Sequence, residues 1–421
     1  MKRQVMPAGP RARALAAMAA GLIAAVSAGL PATAGASALA QAGTPFAASP
    51  GPAAAAAAGP AATAARPSDL AGVAATSARN AWAAGFRSDG RSDQTLIEHW
   101  NGKSWRQVIS PDPGGSAAGA SNQLNAVAAT SARNAWAVGS WTDGKVTRML
   151  ILHWTGRSWH ATPAHFPGCM KDNDGLYGVS ATSGTDAWAV GEATSCVFGD
   201  KITVIFHWNG HSWHEVTSPD PGAFHDNYLR AVTATSARDA WAAGFYSDGG
   251  PVLPMIVHWN GKSWTQVPCP DPIDADIALG GIAASSARNA WAVGLATTGS
   301  LGSSQTLVFH WNGTSWRQAP APDQPGQGLA AVAALPGRAP WAAGFRTSQS
   351  QPVQTLAERW NGHAWKPVSS PNPGPSPHID ELLGVALVPG GGAWAVGAYD
   401  DGKTLKALIE RWNGTSWRVQ H

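Results

Sequence analysis

The chain has 421 residues, 44% of them apolar and 13% charged, and 22 are tryptophan. Such a composition excludes a disordered polyelectrolyte and leaves ample material for a core. Lys2, Arg3, Arg11 and Arg13 supply four of the 29 basic side chains against 26 acidic ones, and no acid precedes position 41. The body of the chain is therefore neutral, and the basic excess that nucleic-acid binding requires is absent.

Residues 1–40 read as a signal peptide, with a basic start, an apolar stretch from Ala14 to Leu30 and a break at Pro31. Cleavage is expected after Ala40, with Ala34 the alternative. Uncleaved, the stretch would serve as an N-terminal membrane anchor of minimal length. Residues 41–66 are almost wholly Ala, Gly, Pro, Ser and Thr. They lack the large apolar side chains that offset the entropy of ordering and read as a flexible linker. The mature protein is expected to be secreted, monomeric and without a membrane span.

From residue 67 to 421 one unit recurs seven times. Its first Trp stands at 82, 136, 188, 241, 291, 341 and 394, its second at 100, 154, 208, 259, 311, 360 and 412, and its third at 105, 159, 213, 264, 316, 365 and 417. Only Trp141 stands outside this pattern. Each unit offers four short runs with strand character, 72–75, 81–85, 95–100 and 105–108 in the first. Asn101-Gly102 marks a turn between the last two. The spacing predicts an all-β fold, a seven-bladed β-propeller with four antiparallel strands per blade. The blades should span about 70–110, 124–163, 176–218, 229–269, 279–319, 329–369 and 382–421. An open solenoid would need polar caps at its ends, and the last unit carries the same tryptophans as the others.

The pattern resembles kelch repeats and the propeller domain of the galactose-oxidase-like family, in which a strand ending in glycine also precedes an aromatic hairpin. Kelch units carry a Gly-Gly doublet. Gly85, Gly139, Gly191, Gly244, Gly294, Gly344 and Gly397 each stand alone here. The resemblance implies a secreted bacterial relative rather than a standard member.

Loop lengths distinguish the two faces. From the leading Leu of a unit to its first Trp is always 12 residues, and from second to third Trp always 5. From the glycine to the second Trp runs 15 to 17, and from the third Trp to the next leading Leu 13 to 19. The 2–3 and 4–1 loops are thus the varied ones, and they emerge on one face, where binding is expected. After each leading Leu stand Ala71, Asn125, Tyr177, Arg230, Gly280, Ala330 and Leu383. Asn125, Tyr177 and Arg230, on consecutive blades, are candidate ligand-binding residues at the axial channel mouth. Phe86, Trp141 and Tyr246 open 2–3 loops on the same face and could stack on a sugar ring or receive a partner's apolar anchor.

Five histidines precede the second Trp, His99, His153, His207, His258 and His310. They lie too far from the axis to share a metal ion. No recurrent acid is evident to orient them beside Ser104 and its equivalents, so they read as structural. Asp172, Asn173 and Asp174 form an oxygen-rich cluster that could hold a cation. Of the three cysteines, Cys169 and Cys196 fall in loops of one blade on the varied face and are paired as a disulfide, leaving Cys269 free. No cofactor, metal centre or catalytic residue is assigned. The chain is thus expected to be an exported binding or scaffold module for an extracellular glycan or protein. The alternative is an extracellular lyase, hydrolase or degenerate oxidase with its site at the channel mouth.

Overall fold

A computed structural model describes residues 67–164, 174–197, 199–222, 225–271, 275–298, 303–322, 324–348, 351–375 and 379–420. The expected export signal and linker lie outside these residues. Seven antiparallel sheets are present, each made of four strands consecutive in sequence. Blade one comprises β1 (Ser68–Ser77), β2 (Asn80–Ser88), β3 (Asp93–Trp100) and β4 (Trp105–Gln107). The innermost three strands are longer than their apolar runs suggest, and the outermost holds only three or four residues. Among the described residues no strand is exchanged between blades to close the ring, and no helix is long and apolar enough to cross a membrane.

The tryptophans account for the assembly. Trp82 of blade one meets Trp154 and Trp159 of blade two, with ring centroids 5.0 and 5.3 Å away. The same contact joins every later pair, and Trp394 closes the circle on Trp100 and Trp105, both at 5.0 Å. Each seam therefore holds one tryptophan from the preceding blade and two from the following one. The first tryptophans are almost completely buried. At ~25 cal/mol per Å² over roughly 200 Å², each contributes on the order of 5 kcal/mol before entropy is subtracted. The second Trp also acts as a donor. Trp100 Nε1 donates to the Ala78 carbonyl at 3.0 Å, tying the outer strands to the turn between β1 and β2. Phe could not do this.

The Asn-Gly turns have four residues. Trp100 pairs directly with Trp105, Asn101 Oδ1 accepts the amides of Lys103 and Ser104, and Gly102 takes φ +94°. Asn supplies the acceptor and Gly the left-handed backbone.

The histidines prove structural, with partners different from those expected. Each stacks on the first Trp of its own blade, at 3.7–4.2 Å between centroids. The acceptor is the residue two before that Trp, not a serine: Asn80, Asn134 and Asn289 bond His99, His153 and His310. In blades three and four an acid does orient the ring, as Asp186 and Asp239 lie 2.7 Å from His207 and His258. Thr182 and Thr235 complete these chains. In blade seven Arg411 replaces the histidine, its guanidinium 5.3 Å over Trp394.

No disulfide is seen among the described residues. Cys196 is an exposed free thiol, and Cys169 lies outside the described residues. Cys269 is unbonded, as expected, and burial pushes its thiol up to about 12. Alkylation of the native protein should therefore modify the exposed Cys196 faster than the partly buried Cys269, as followed by peptide mass mapping; equal rates would contradict the raised thiol.

Candidate ligand site at the channel mouth

The lone glycines of the second strands explain how the channel mouth is built. A Cβ on Gly85 would lie 2.0 Å from the Asp69 carbonyl oxygen, and the other six glycines meet the same obstruction at 1.9–2.0 Å. The carbonyl comes so close because the inner strand bulges immediately after the leading Leu: Leu70 pairs with Gly85 and Gly72 with Ala84, so Ala71 is left unpaired. The bulge recurs in all seven blades. An unpaired bulge residue is free to aim its side chain away from the sheet, and the seven bulge residues, six with side chains and Gly280, meet at the axis. One position further on only Gly or Ala fits, since a Cβ on Gly72 would lie 2.9 Å from Ala126 Cα in the next blade.

A cavity of about 120 Å³ opens at this mouth. All seven bulge residues line it, with Phe245, Leu295 and Phe345 from the second strands beside them. Asn125, Tyr177 and Arg230 are thus brought together as the sequence predicts, and they form a polar wall facing an apolar one. Asn125 Nδ2 donates to the Leu176 carbonyl at 2.8 Å. Tyr177 donates to Glu192 Oε1 at 3.4 Å. Arg230 Nη2 lies 3.3 Å from Glu192 Oε2, and its guanidinium rests 4.0 Å over the Tyr177 ring. Lys201 Nζ is 3.9 Å from the same carboxylate.

Glu192 is the residue that sequence reasoning missed. It follows Gly191, in a column otherwise made of Phe86, Ser140, Phe245, Leu295, Phe345 and Ala398. One acid in that column was the available signal. Burial pushes its carboxyl above the usual range, although Arg230 and Lys201 pull it down. Burial likewise raises Tyr177, with the Glu192 charge adding to it. For Arg230 burial opposes the charge, and Glu192 and Tyr177 more than offset it. Arg230 is 6% exposed, so it is a buried cation rather than a solvated rim residue.

The three outer aromatics do not join this group. Phe86 is buried in its strand. Trp141 packs against the cluster between blades one and two, with Arg148 4.9 Å over its ring. Tyr246 lines a separate groove on blade four with Leu253, Gln266 and Cys269. Of the oxygen-rich cluster only Asp174 is described; it accepts the Thr194 amide at 2.8 Å, and Asp172 and Asn173 lie outside the described residues. No group of three or more His, Cys, Asp or Glu side chains suited to a metal ion occurs among the described residues.

The loops of this face are braced by polar side chains that mimic a site. Asp112 accepts the Thr95 amide at 2.7 Å and its hydroxyl at 3.0 Å, and Asp220 does the same for Thr203. Asn122 accepts from Gly114 and donates to the Asp93 carbonyl, bridging blades two and one. These contacts fix where each 4–1 loop leaves and rejoins the ring.

Comparison with known proteins finds no matching family model and no matching curated protein. Solved structures do match. A GH74 xyloglucanase from Xanthomonas campestris has a TM-score of 0.52 at 14% identity over 84% of this chain, which spans only 54% of that enzyme. The β-propeller domain of the trilobed protease from Pyrococcus furiosus has a TM-score of 0.50 at 8% identity, covering 84% of this chain and 95% of that one. A fucose-specific lectin from Aleuria aurantia follows at 0.43 and 13%, over 70% and 93%. At these identities the shared property is architecture alone: the chain is an all-β, seven-bladed propeller with four antiparallel strands per blade.

Proposed function

We propose that this propeller is an extracellular binding module that takes its ligand at the channel mouth, on the face of the 2–3 and 4–1 loops. The observation that carries this reading is the cavity itself, because the seven equivalent bulge residues converge there yet differ chemically. Three adjacent blades offer Asn, Tyr and Arg, and the others offer Gly, Ala and Leu. A ring with 7-fold pseudosymmetry has been made one-sided at its axis, as orientation of a ligand requires.

A glycan unit is the occupant that suits both walls. The apolar wall of Phe245, Leu295 and Phe345 suits the C–H groups of a pyranose, and the polar wall addresses its hydroxyls. The cavity is of the size that holds one six-membered ring. A glycan array probed with the full chain tests this. Binding should be lost or cut at least about tenfold in Tyr177→Ala and Asn125→Ala and retained in Trp141→Ala, which lies outside the cavity. The opposite pattern would move the site to the 2–3 loops.

A further inference from the structure

We propose that the face opposite the channel mouth docks on a bilayer of anionic phospholipid and so holds the mouth outward. This face is formed by the turns between first and second strands and between third and fourth strands.

The neutral charge of the body conceals a division between the two faces. On the turns between first and second strands stand Arg79, Arg133, Arg238, Arg288 and Arg338, all exposed. On the turns between third and fourth strands stand Lys103, Arg157 and Lys262, exposed as well. No ion pair among the described residues involves any of these side chains. The only acids at these turns are Asp186 and Asp239, and each is tied to a histidine and a threonine of its own blade. Acids gather at the other end, where Asp89, Asp143, Asp248 and Asp271 are exposed in the 2–3 and 4–1 loops. A neutral protein divided in this way carries a field that turns one chosen face towards an anionic partner.

The cations are also held in place. The stems of four arginines lie across the neighbouring turn of their own blade. A Cβ on Gly102 would lie 3.0 Å from the stem of Arg79, and Gly156, Gly261 and Gly313 meet Arg133, Arg238 and Arg288 at 3.1–3.2 Å. With the stems packed, the guanidinium heads stay at the surface. In blades one, two and four the residue after that glycine is the second cation, so two positive groups flank one turn with no acid between them. Like charges so placed repel in the free protein, and an anionic surface relieves the repulsion.

The arrangement suits a plane of phosphates. The cations are spread over five blades and form no groove that a single polymer chain could follow. The turns that carry them have the same length in every blade, so the face is level. The exposed large apolar side chains, Ile109 and Val197, lie in loops of the other face, which leaves charge rather than insertion as the attraction. Arginine's planar fork matches the paired oxygens of a phosphodiester. A second copy of the chain would offer acids from its mouth face, but on loops of unequal length.

Co-sedimentation of the full chain with lipid vesicles tests this. Vesicles of phosphatidylcholine mixed with phosphatidylglycerol should bind the protein at about 0.1 M salt and release it at about 1 M, where screening is strong. Vesicles of phosphatidylcholine alone should not bind it. The triple variant Arg79→Gln, Arg133→Gln and Arg238→Gln should weaken binding at least about tenfold, since each basic side chain beside such a surface contributes several-fold. On the mouth face, Arg91→Gln, Lys145→Gln and Lys403→Gln together remove the same charge and should leave binding at the wild-type level. All six side chains are exposed, so both variants should keep the wild-type circular dichroism. Equal loss in the two triple variants would overturn the choice of face. Equal binding to both kinds of vesicle, or to neither, would overturn the partner. Light scattering at low salt adds one further outcome: self-association that the first triple variant abolishes, without vesicle binding, would give these cations to a second propeller and overturn the proposal.

Discussion

The propeller should lose stability as the pH rises from about 4 to about 8, with the midpoint of thermal unfolding falling by about 5 °C or more. The cause is a set of carboxyl groups concentrated in blades six, seven and one. Burial pushes Asp69 up to about 7, Glu358 to about 7 and Glu410 to about 8. Glu381 is raised well above the carboxylate range by burial and then by the charge of Asp69. Glu410 alone of these four accepts a side-chain hydrogen bond among the described residues, from Ser370 of the preceding blade. In the unfolded chain all four release their protons near pH 4. Between there and the raised pKa the folded chain holds protons that the unfolded chain has lost, so each increase in pH favours unfolding until the folded value is passed. Below pH 6.5 three histidines oppose this slope. Burial lowers His99, His153 and His310, so acid protonates them more readily in the unfolded chain. Glu381→Gln and Glu410→Gln, followed by calorimetry across pH 5 to 8, should flatten the decline. A wild-type profile that is flat or rising from 5 to 8 would show that these carboxyls are hydrated in solution.

Trp394→Ala should cost about 3–5 kcal/mol, the usual penalty for deleting a large buried aromatic. Trp394 is 1% exposed and sits between Trp100 and Trp105. It belongs to the seam where the last blade meets the first, the one joint of the ring with no covalent connection between its blades. Its packing is nevertheless that of the other seams. Trp241 makes the same pair of contacts with Trp311 and Trp316 in mid-chain, and closure adds a further hydrogen bond from the Ala407 amide to Ser68 Oγ at 3.0 Å. Trp394→Ala and Trp241→Ala are therefore expected to destabilise equally in urea titrations and to unfold in one transition. An early, separate transition confined to Trp394→Ala would mark the closing seam as the weak point.

The architecture was legible in the sequence because it is carried by repetition: period, paired tryptophans and Asn-Gly turns all point to four strands seven times over. Arg230 shows where such reading stops. Its place after Leu229 put it at the channel mouth, but its burial depends on Glu192 in the preceding blade, 38 positions away in sequence and on another sheet. Periodicity within one blade says which face a side chain lies on and nothing about what the neighbouring blade offers it. The tryptophans make the same point, since they read as three per blade and act as one plus two across each seam. Phe86 looked like the opening of a loop because Gly85 looked like the end of a strand; the strand runs to Ser88 and buries it. The histidine partner was sought along the hairpin, whereas His99 lies opposite Trp82 and reaches Asn80 on the strand beside it.

The one-plus-two seam makes every blade a link with a head and a tail. Its leading tryptophan is a knob, its trailing pair a socket, and the two surfaces are complementary to each other but not to themselves. Such heterologous joints, when free, build open strings or close into rings according to the angle between successive links. A fragment of three or four blades would carry one unfilled socket and one bare knob at its ends. Two such fragments contain everything needed to find one another and restore the circle. The same logic makes the chain indifferent to where it begins: new termini placed in any 4–1 loop, with the present ends joined, leave all seven joints intact.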